Sequence, residues 1–127
     1  MTTTGPCMIG LEVERHRDVP VARLSTDVDA ANAARLREEL WSHLDNRGGE
    51  LVIDLSRTRY LDSAGVEVIF NLAGGLSQRR GTLRLVIPPD SPLQRVAQIV
   101  GLPDVVPVHA SVQEAVEAFR AGGAGVS

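Results

Sequence analysis

The sequence predicts a single α/β domain, a mixed β-sheet of four to five strands packed with about four α-helices. Three observations lead to that class. Short aliphatic runs such as Leu51, Val52, Ile53 and Leu55 end in polar or glycine-rich stretches, as strands do. Between them lie segments whose apolar residues recur at three and four positions, each with a helix start signal. The two kinds of segment alternate through 127 residues, enough for one core and too few for two.

Residues 8–15 alternate Ile9, Leu11 and Val13 against Gly10, Glu12 and Glu14. Val19, Val21, Ala22 and Leu24 follow, so the first two strands pair across a turn at His16, Arg17 and Asp18. Asp29 stands where a helix cap belongs, ahead of a stripe of Ala33, Leu36, Leu40, Trp41 and Leu44 that stops at Asn46, Gly48 and Gly49. The strand at 50–55 leaves through a polar loop, and Asp62 and Ser63 open a helix carrying Val66, Val68, Ile69, Phe70, Leu72, Ala73 and Leu76. Gly81 closes it. Leu83, Leu85, Val86 and Ile87 form a strand that Pro88 and Pro89 stop. Ser91 and Pro92 then read as a cap and a first-turn proline for a helix ending at Gly101. Residues 105–108 read as a short last strand. Ser111 and Glu114 have capping-box spacing before the stripe Val112, Ala115, Val116 and Phe119. The domain is expected over residues 7–120, with flexible tails at 1–6 and 121–127.

Composition excludes several functions. A net charge of -3 and an aromatic share of 3% supply neither a basic stripe nor a set of stacking rings, against direct nucleic-acid binding. No apolar run approaches the roughly 20 residues of a membrane span, and the first residues lack a signal peptide's regions, so a cytoplasmic location without membrane insertion is expected. Cys7 is alone and reads as a packing residue, and His16, His43 and His109 have no ligand spacing, against a structural zinc site. All 13 basic residues are arginine. Lysine-dependent chemistry, including Walker-type phosphate binding, Schiff bases and phosphoaspartate receivers, falls away, because guanidinium replaces neither a compact ammonium nor a deprotonatable amine. No enzyme and no cofactor are expected. Ser63 lacks the flanking glycines of a nucleophile elbow.

The chemistry concentrates at 60–66. A serine in the first helical turn caps a helix well and is also a good place to add a phosphate. Asp62 reads as a partner contact, a metal ligand during phosphotransfer, or a second cap. Gly65 serves either a partner's approach or close helix packing. Asp27 and Asp29 fall near the Ser63 helix start if neighbouring strand ends come together, with Asp29 equally a plain cap. Asp54 reads as bonded to local backbone, and Trp41 as half-buried.

Three stretches together carry a resemblance: Thr26-Asp27-Val28-Asp29, Leu51-Val52-Ile53-Asp54-Leu55-Ser56, and Tyr60-Leu61-Asp62-Ser63-Ala64-Gly65-Val66. In this order, over roughly residues 8–120, the chain resembles the STAS domain of bacterial anti-sigma factor antagonists. The resemblance implies that Ser63 is the phosphoacceptor and that the unphosphorylated protein captures an anti-sigma factor serine kinase, freeing the sigma factor. It implies a partner surface of Thr26, Asp27, Asp29, Arg59, Asp62, Ser63, Ala64, Gly65 and Glu67, and a serine phosphatase that resets phospho-Ser63. The alternative is a constitutive STAS scaffold subunit of a stress-sensing or membrane transport assembly. Two departures stand out: Ser25-Thr26 where the family often has glycine, and Ala64 where many members carry a hydroxyl, which leaves Ser63 the one acceptor in the tetrapeptide. Nothing in the sequence fixes the oligomeric state.

Overall fold

The computed structural model describes residues 11–42 and 49–123, the last four by backbone alone. The expected tail at 1–6, Cys7, the first residues of the first strand and His43 lie outside the described residues. The elements run β1 Leu11–His16, β2 Val19–Leu24, α1 Ala30–Ser42, β3 Glu50–Asp54, α2 Ser63–Gln78, β4 Thr82–Val86, α3 Leu93–Val100, α4 Leu102–Val105, β5 Val108–His109 and α5 Val112–Gly123. The five strands lie side by side in chain order, β1 antiparallel to β2 and the rest parallel. Parallel neighbours end on the same edge, so the loops leaving β2, β3 and β4 gather there.

Period-two alternation sorts the strand residues onto two covered faces. Ala22 and Leu24, Leu51 and Ile53, and Leu83 and Leu85 belong to the larger cluster, with Leu36 and Leu40 of α1 and Val68, Ile69, Leu72 and Leu76 of α2. Val19, Val21, Val52 and Val86 face the other way, onto Ala115, Val116 and Phe119 of α5. Each such Val, Leu, Ile or Phe side chain, once buried, contributes about 1.5–3 kcal/mol, which is why the apolar stripes decide where the helices lie.

Several helix ends differ from expectation. The last turn of α2 is closed by Arg80, left-handed at φ 63, with the Arg80 and Gly81 amides donating to Ser77 O (3.1 Å) and Leu76 O (2.7 Å). Gly81 is needed for another reason: a Cβ there would sit 2.0 Å from the Gly49 carbonyl oxygen. Val105 belongs to α4, a single helical turn too short for periodicity to reveal, and the last strand shrinks to two residues. Helix α5 continues to Gly123, past the expected boundary at 120. The caps at Ser91 and Ser111 form, their hydroxyls accepting from the Leu93 amide (3.1 Å) and the Glu114 amide (3.2 Å). The turn between β1 and β2 is a two-residue loop with Arg17 and Asp18 both at positive φ, the geometry that matches strand twist.

Candidate functional site

The exits of β2 and β3 are adjacent because the two strands pair from Val21 with Val52 to Arg23 with Asp54. Hydrogen bonds from both sides then join the two loops. The Thr58 hydroxyl, almost fully buried, lies 3.1 Å from Leu24 O and 3.2 Å from Thr26 O and shares its proton between them. One carboxylate oxygen of Asp27 accepts from the Arg59 and Tyr60 amides, each at 3.0 Å. The Val28 amide donates to Tyr60 O (3.1 Å) and the Asp62 amide to Val28 O (3.2 Å), a parallel bridge that pairs Val28 with Leu61. Buried polar groups left unpaired cost free energy, and here each loop satisfies the other.

The two helices that follow are capped alike. Asp29 accepts from the Ala31 amide (2.9 Å), while Asn32 accepts from the Asp29 amide and donates to Asp27 O, both at 3.0 Å. Asp62 accepts from the Ala64 (2.9 Å) and Gly65 (3.2 Å) amides. The cap of α2 is therefore Asp62, and Ser63 is its first helical residue, exposed, with its hydroxyl uncommitted to the helix. That corrects the reading of Ser63 as a cap. It also changes the electrostatics: the Ala64 and Gly65 amides that would meet a phosphate are already held by a carboxylate, which leaves the first turn less able to accommodate a second negative charge.

The structure brings Thr26, Asp27, Asp29, Arg59, Asp62 and Ser63 together at the paired loops. Asp27, Asp29, Arg59 and Ser63 are exposed, as is Glu67 one turn into α2, and Thr26, Asp62 and Ala64 are half-buried. Gly65 is different. It is buried, and a Cβ would stand 2.8 Å from Leu61 Cδ1 and 3.0 Å from Val28 Cγ1, so it lets α2 pack onto the bridge and offers no surface. The sequence places Thr58 and Tyr60 in the expected contact loop from Arg57 to Asp62 but gives neither a role of its own: no local pattern signals that Thr58 is buried or that the Tyr60 ring is exposed.

The sheet's other face carries charge. Arg23 Nε donates to Asp54 Oδ2 (3.1 Å) and Nη1 to Glu14 Oε2 (2.8 Å), and these contacts raise the Arg23 pKa above its ordinary value, Asp54 foremost. Asp54 Oδ1 accepts from the Ser56 amide at 3.0 Å, the local backbone bond expected of it. Arg84 lies 4.7 Å over the Phe119 ring and 3.1 Å from His109 Nε2. Burial pushes the Arg84 guanidinium down from its ordinary value. Burial first, and then the Arg84 charge, lowers the pKa of His109, with Glu114 opposing. Among the described residues no group of three His, Cys, Asp or Glu side chains is placed to hold a metal ion, and no helix is long and apolar enough to cross a membrane.

A sequentially ordered mixed sheet with paired loop–helix junctions on one edge is the architecture of the STAS domain, and the chain belongs to that family, whose model matches residues 10–115. Its relatives include BtrV of Bordetella bronchiseptica, an anti-sigma factor antagonist by its provisional name, 35% identical over 79% of this chain and 85% of that protein. The anti-sigma-B factor antagonist of Listeria monocytogenes is 32% identical over 79% of this chain and 88% of its own length. Among solved structures, an anti-sigma factor antagonist from Mycobacterium paratuberculosis superposes with a TM-score of 0.77 at 25% identity, covering 87% of this chain and 92% of that one. The chain is thus a member of the anti-sigma factor antagonist group of STAS proteins.

Proposed function

We propose that this protein, when unphosphorylated, binds an anti-sigma factor that is a serine kinase and so releases a sigma factor, and that phosphorylation of Ser63 turns the binding off. The observation that carries this reading is the exposed Ser63 hydroxyl beside the Asp62 carboxylate, on loops held rigid by their mutual hydrogen bonds. The relatives' names, antagonists of anti-sigma factors, supply the partner class. A phosphoserine brings about -1.5 to -2 charges to a spot already holding a carboxylate. In solution, water screens that charge. Under a docked partner the water is gone, and a thousandfold loss of affinity requires only about 4 kcal/mol. Thr26, Asp27, Asp29, Arg59, Asp62, Ala64 and Glu67 form or border the docking surface, and a serine phosphatase restores the binding form.

The test is to incubate the protein with the host's anti-sigma factor kinases and ATP, map the product by mass spectrometry, and measure capture by calorimetry. Modification at Ser63, capture lost in Ser63→Asp and capture kept in Ser63→Ala are the expected results. Tight assembly indifferent to ATP, with Ser63 unmodified, would instead favour a constitutive scaffold.

A further inference from the structure

Tyr60 is the one aromatic residue that the fold leaves in the open. Its side chain is part of an exposed residue, 54% accessible, and belongs to neither core cluster, whereas Trp41 and Phe70 are half-buried and Phe119 is buried. Its backbone is the reverse, with nothing loose. The Tyr60 amide donates to Asp27, as does that of Arg59, and the Tyr60 carbonyl accepts from Val28. The adjoining Arg59 side chain is exposed and makes no ion pair among the described residues. A single exposed ring on a surface is ordinary. A ring on a fully pinned peptide is a prepared contact, because a partner that covers it orders only two side-chain torsions and no backbone.

The geometry points to Tyr60 as the aromatic anchor of the kinase complex, with Asp27 as the positioning residue that fixes it. This rests on the reading of the α2 start as the docking surface. Tyr60 precedes Ser63 by three residues, a span of at most about 11 Å. An interface of standard size covers about 800 Å² on each partner, a disc of roughly 16 Å radius. A partner centred on Ser63 therefore also covers Tyr60. Tyrosine and arginine are the residue types that most often dominate such interfaces, seated in desolvated pockets of the partner. The partner chemistry that follows is an apolar pocket sized for a ring, adjacent to the kinase's own serine-binding cleft. Affinity and switching then reside in different residues: Tyr60 supplies binding, and Ser63 decides whether that binding is permitted.

The test uses the full chain and each purified anti-sigma factor kinase of the host, read by calorimetry and by the kinetics of Ser63 phosphorylation. Tyr60→Ala is expected to weaken capture about thirtyfold and to raise KM for phosphorylation by a similar factor, with kcat within about twofold. Tyr60→Phe should stay within about threefold of the parent, because the ring is retained. Asp27→Ala should raise KM part of the way and Asp27→Asn, which keeps an acceptor oxygen, should restore it. Thermal melting of Tyr60→Ala should stay close to the parent, since more than half of the residue is exposed and its bonds to Asp27 and Val28 are made by the backbone. If Tyr60→Ala binds like the parent while Ser63→Asp does not bind, the anchor is overturned and the switch stands. Should Tyr60→Ala lose affinity while Ser63→Asp binds normally, the anchor stands and the switch falls. A parent protein that captures none of the kinases overturns both.

Discussion

On the α1 and α2 side of the sheet, the loops leaving β2 and β3 are joined through backbone amides, one buried hydroxyl and one aspartate oxygen. On the α5 side, neighbouring strands are tied instead by charged and titratable side chains, Glu14 to Arg23 to Asp54, and Arg84 to His109. The first arrangement holds a surface still without using up the charges on it. The second stabilises the fold and is reached by protons. Under the proposed switch two inputs separate: a phosphate at Ser63 would act on docking, while pH would act on the far side of the sheet, on stability.

Phe119→Ala should give the largest effect. Removing a buried ring costs about 3–5 kcal/mol and also uncovers the Arg84 guanidinium stacked on it. Chemical denaturation should record that loss, while the protein that remains folded captures its partner with parental affinity. A docking defect beyond the unfolded fraction would show that the two sides are coupled.

Thr58→Val comes next, with an expected loss of about 1–3 kcal/mol, because valine fits the buried site and leaves the Leu24 and Thr26 carbonyls without their donor. Unlike Phe119→Ala, it should weaken capture of the folded protein as well, since the loops it joins carry Tyr60 and Ser63. Equal affinity in calorimetry would mean that Asp27 and the Val28–Leu61 bridge are enough to hold the site.

A smaller pair of effects tests which residue caps α2. Asp62→Ala should cost about 1 kcal/mol and Ser63→Ala only a few tenths, the order that the cap geometry requires. Asp62→Asn keeps a capping oxygen but removes the charge, so it should melt near the parent and, if the proposed switch holds, recover part of the docking lost on phosphorylation. Persistence of the full phosphorylation effect in that variant would remove Asp62 from the electrostatic account.

Much of this contrast could be read in the sequence. The aliphatic runs announced the strands, and Asp29 announced the start of α1, whereas the sorting of Val21, Val52 and Val86 onto one covered face and of Ala22, Ile53 and Leu85 onto the other shows only in the fold. The convergence of the 26–29 turn with the Ser63 helix start followed from placing parallel neighbours side by side. What stayed hidden depended on partners distant in the chain. Thr58 bonds to residues more than thirty positions away, Gly81 meets Gly49, and Arg84 finds His109 and Phe119, none of which a local window contains. Asp62 and Ser63 illustrate a finer limit. Either residue caps a helix well, and only backbone geometry decides which stands at the boundary.

The subtlest prediction concerns pH. Burial and the neighbouring Arg84 charge set the folded pKa of His109 below its ordinary value of 6.5, so the native state prefers the neutral ring that accepts from Arg84 Nη1. The unfolded chain takes up a proton near 6.5 that the native protein declines, and stability is lost as pH falls from 6.5 towards the lower folded value. Above 6.5 the contribution is fully present. The thermal midpoint should therefore decline between pH 7.5 and pH 5, and His109→Gln, which offers Arg84 an uncharged acceptor, should decline less. Glu114 tempers the effect by favouring the imidazolium, so Glu114→Gln should steepen the decline. Capture by the folded protein should change little over the same range, because the contacts that hold Tyr60 and Ser63 in place are made by backbone amides, the Thr58 hydroxyl and the Asp27 and Asp62 carboxylates, with no histidine among them. A midpoint equally sensitive to pH in the parent and in His109→Gln would place the proton-linked loss elsewhere and dissolve the separation between the two sides of the sheet.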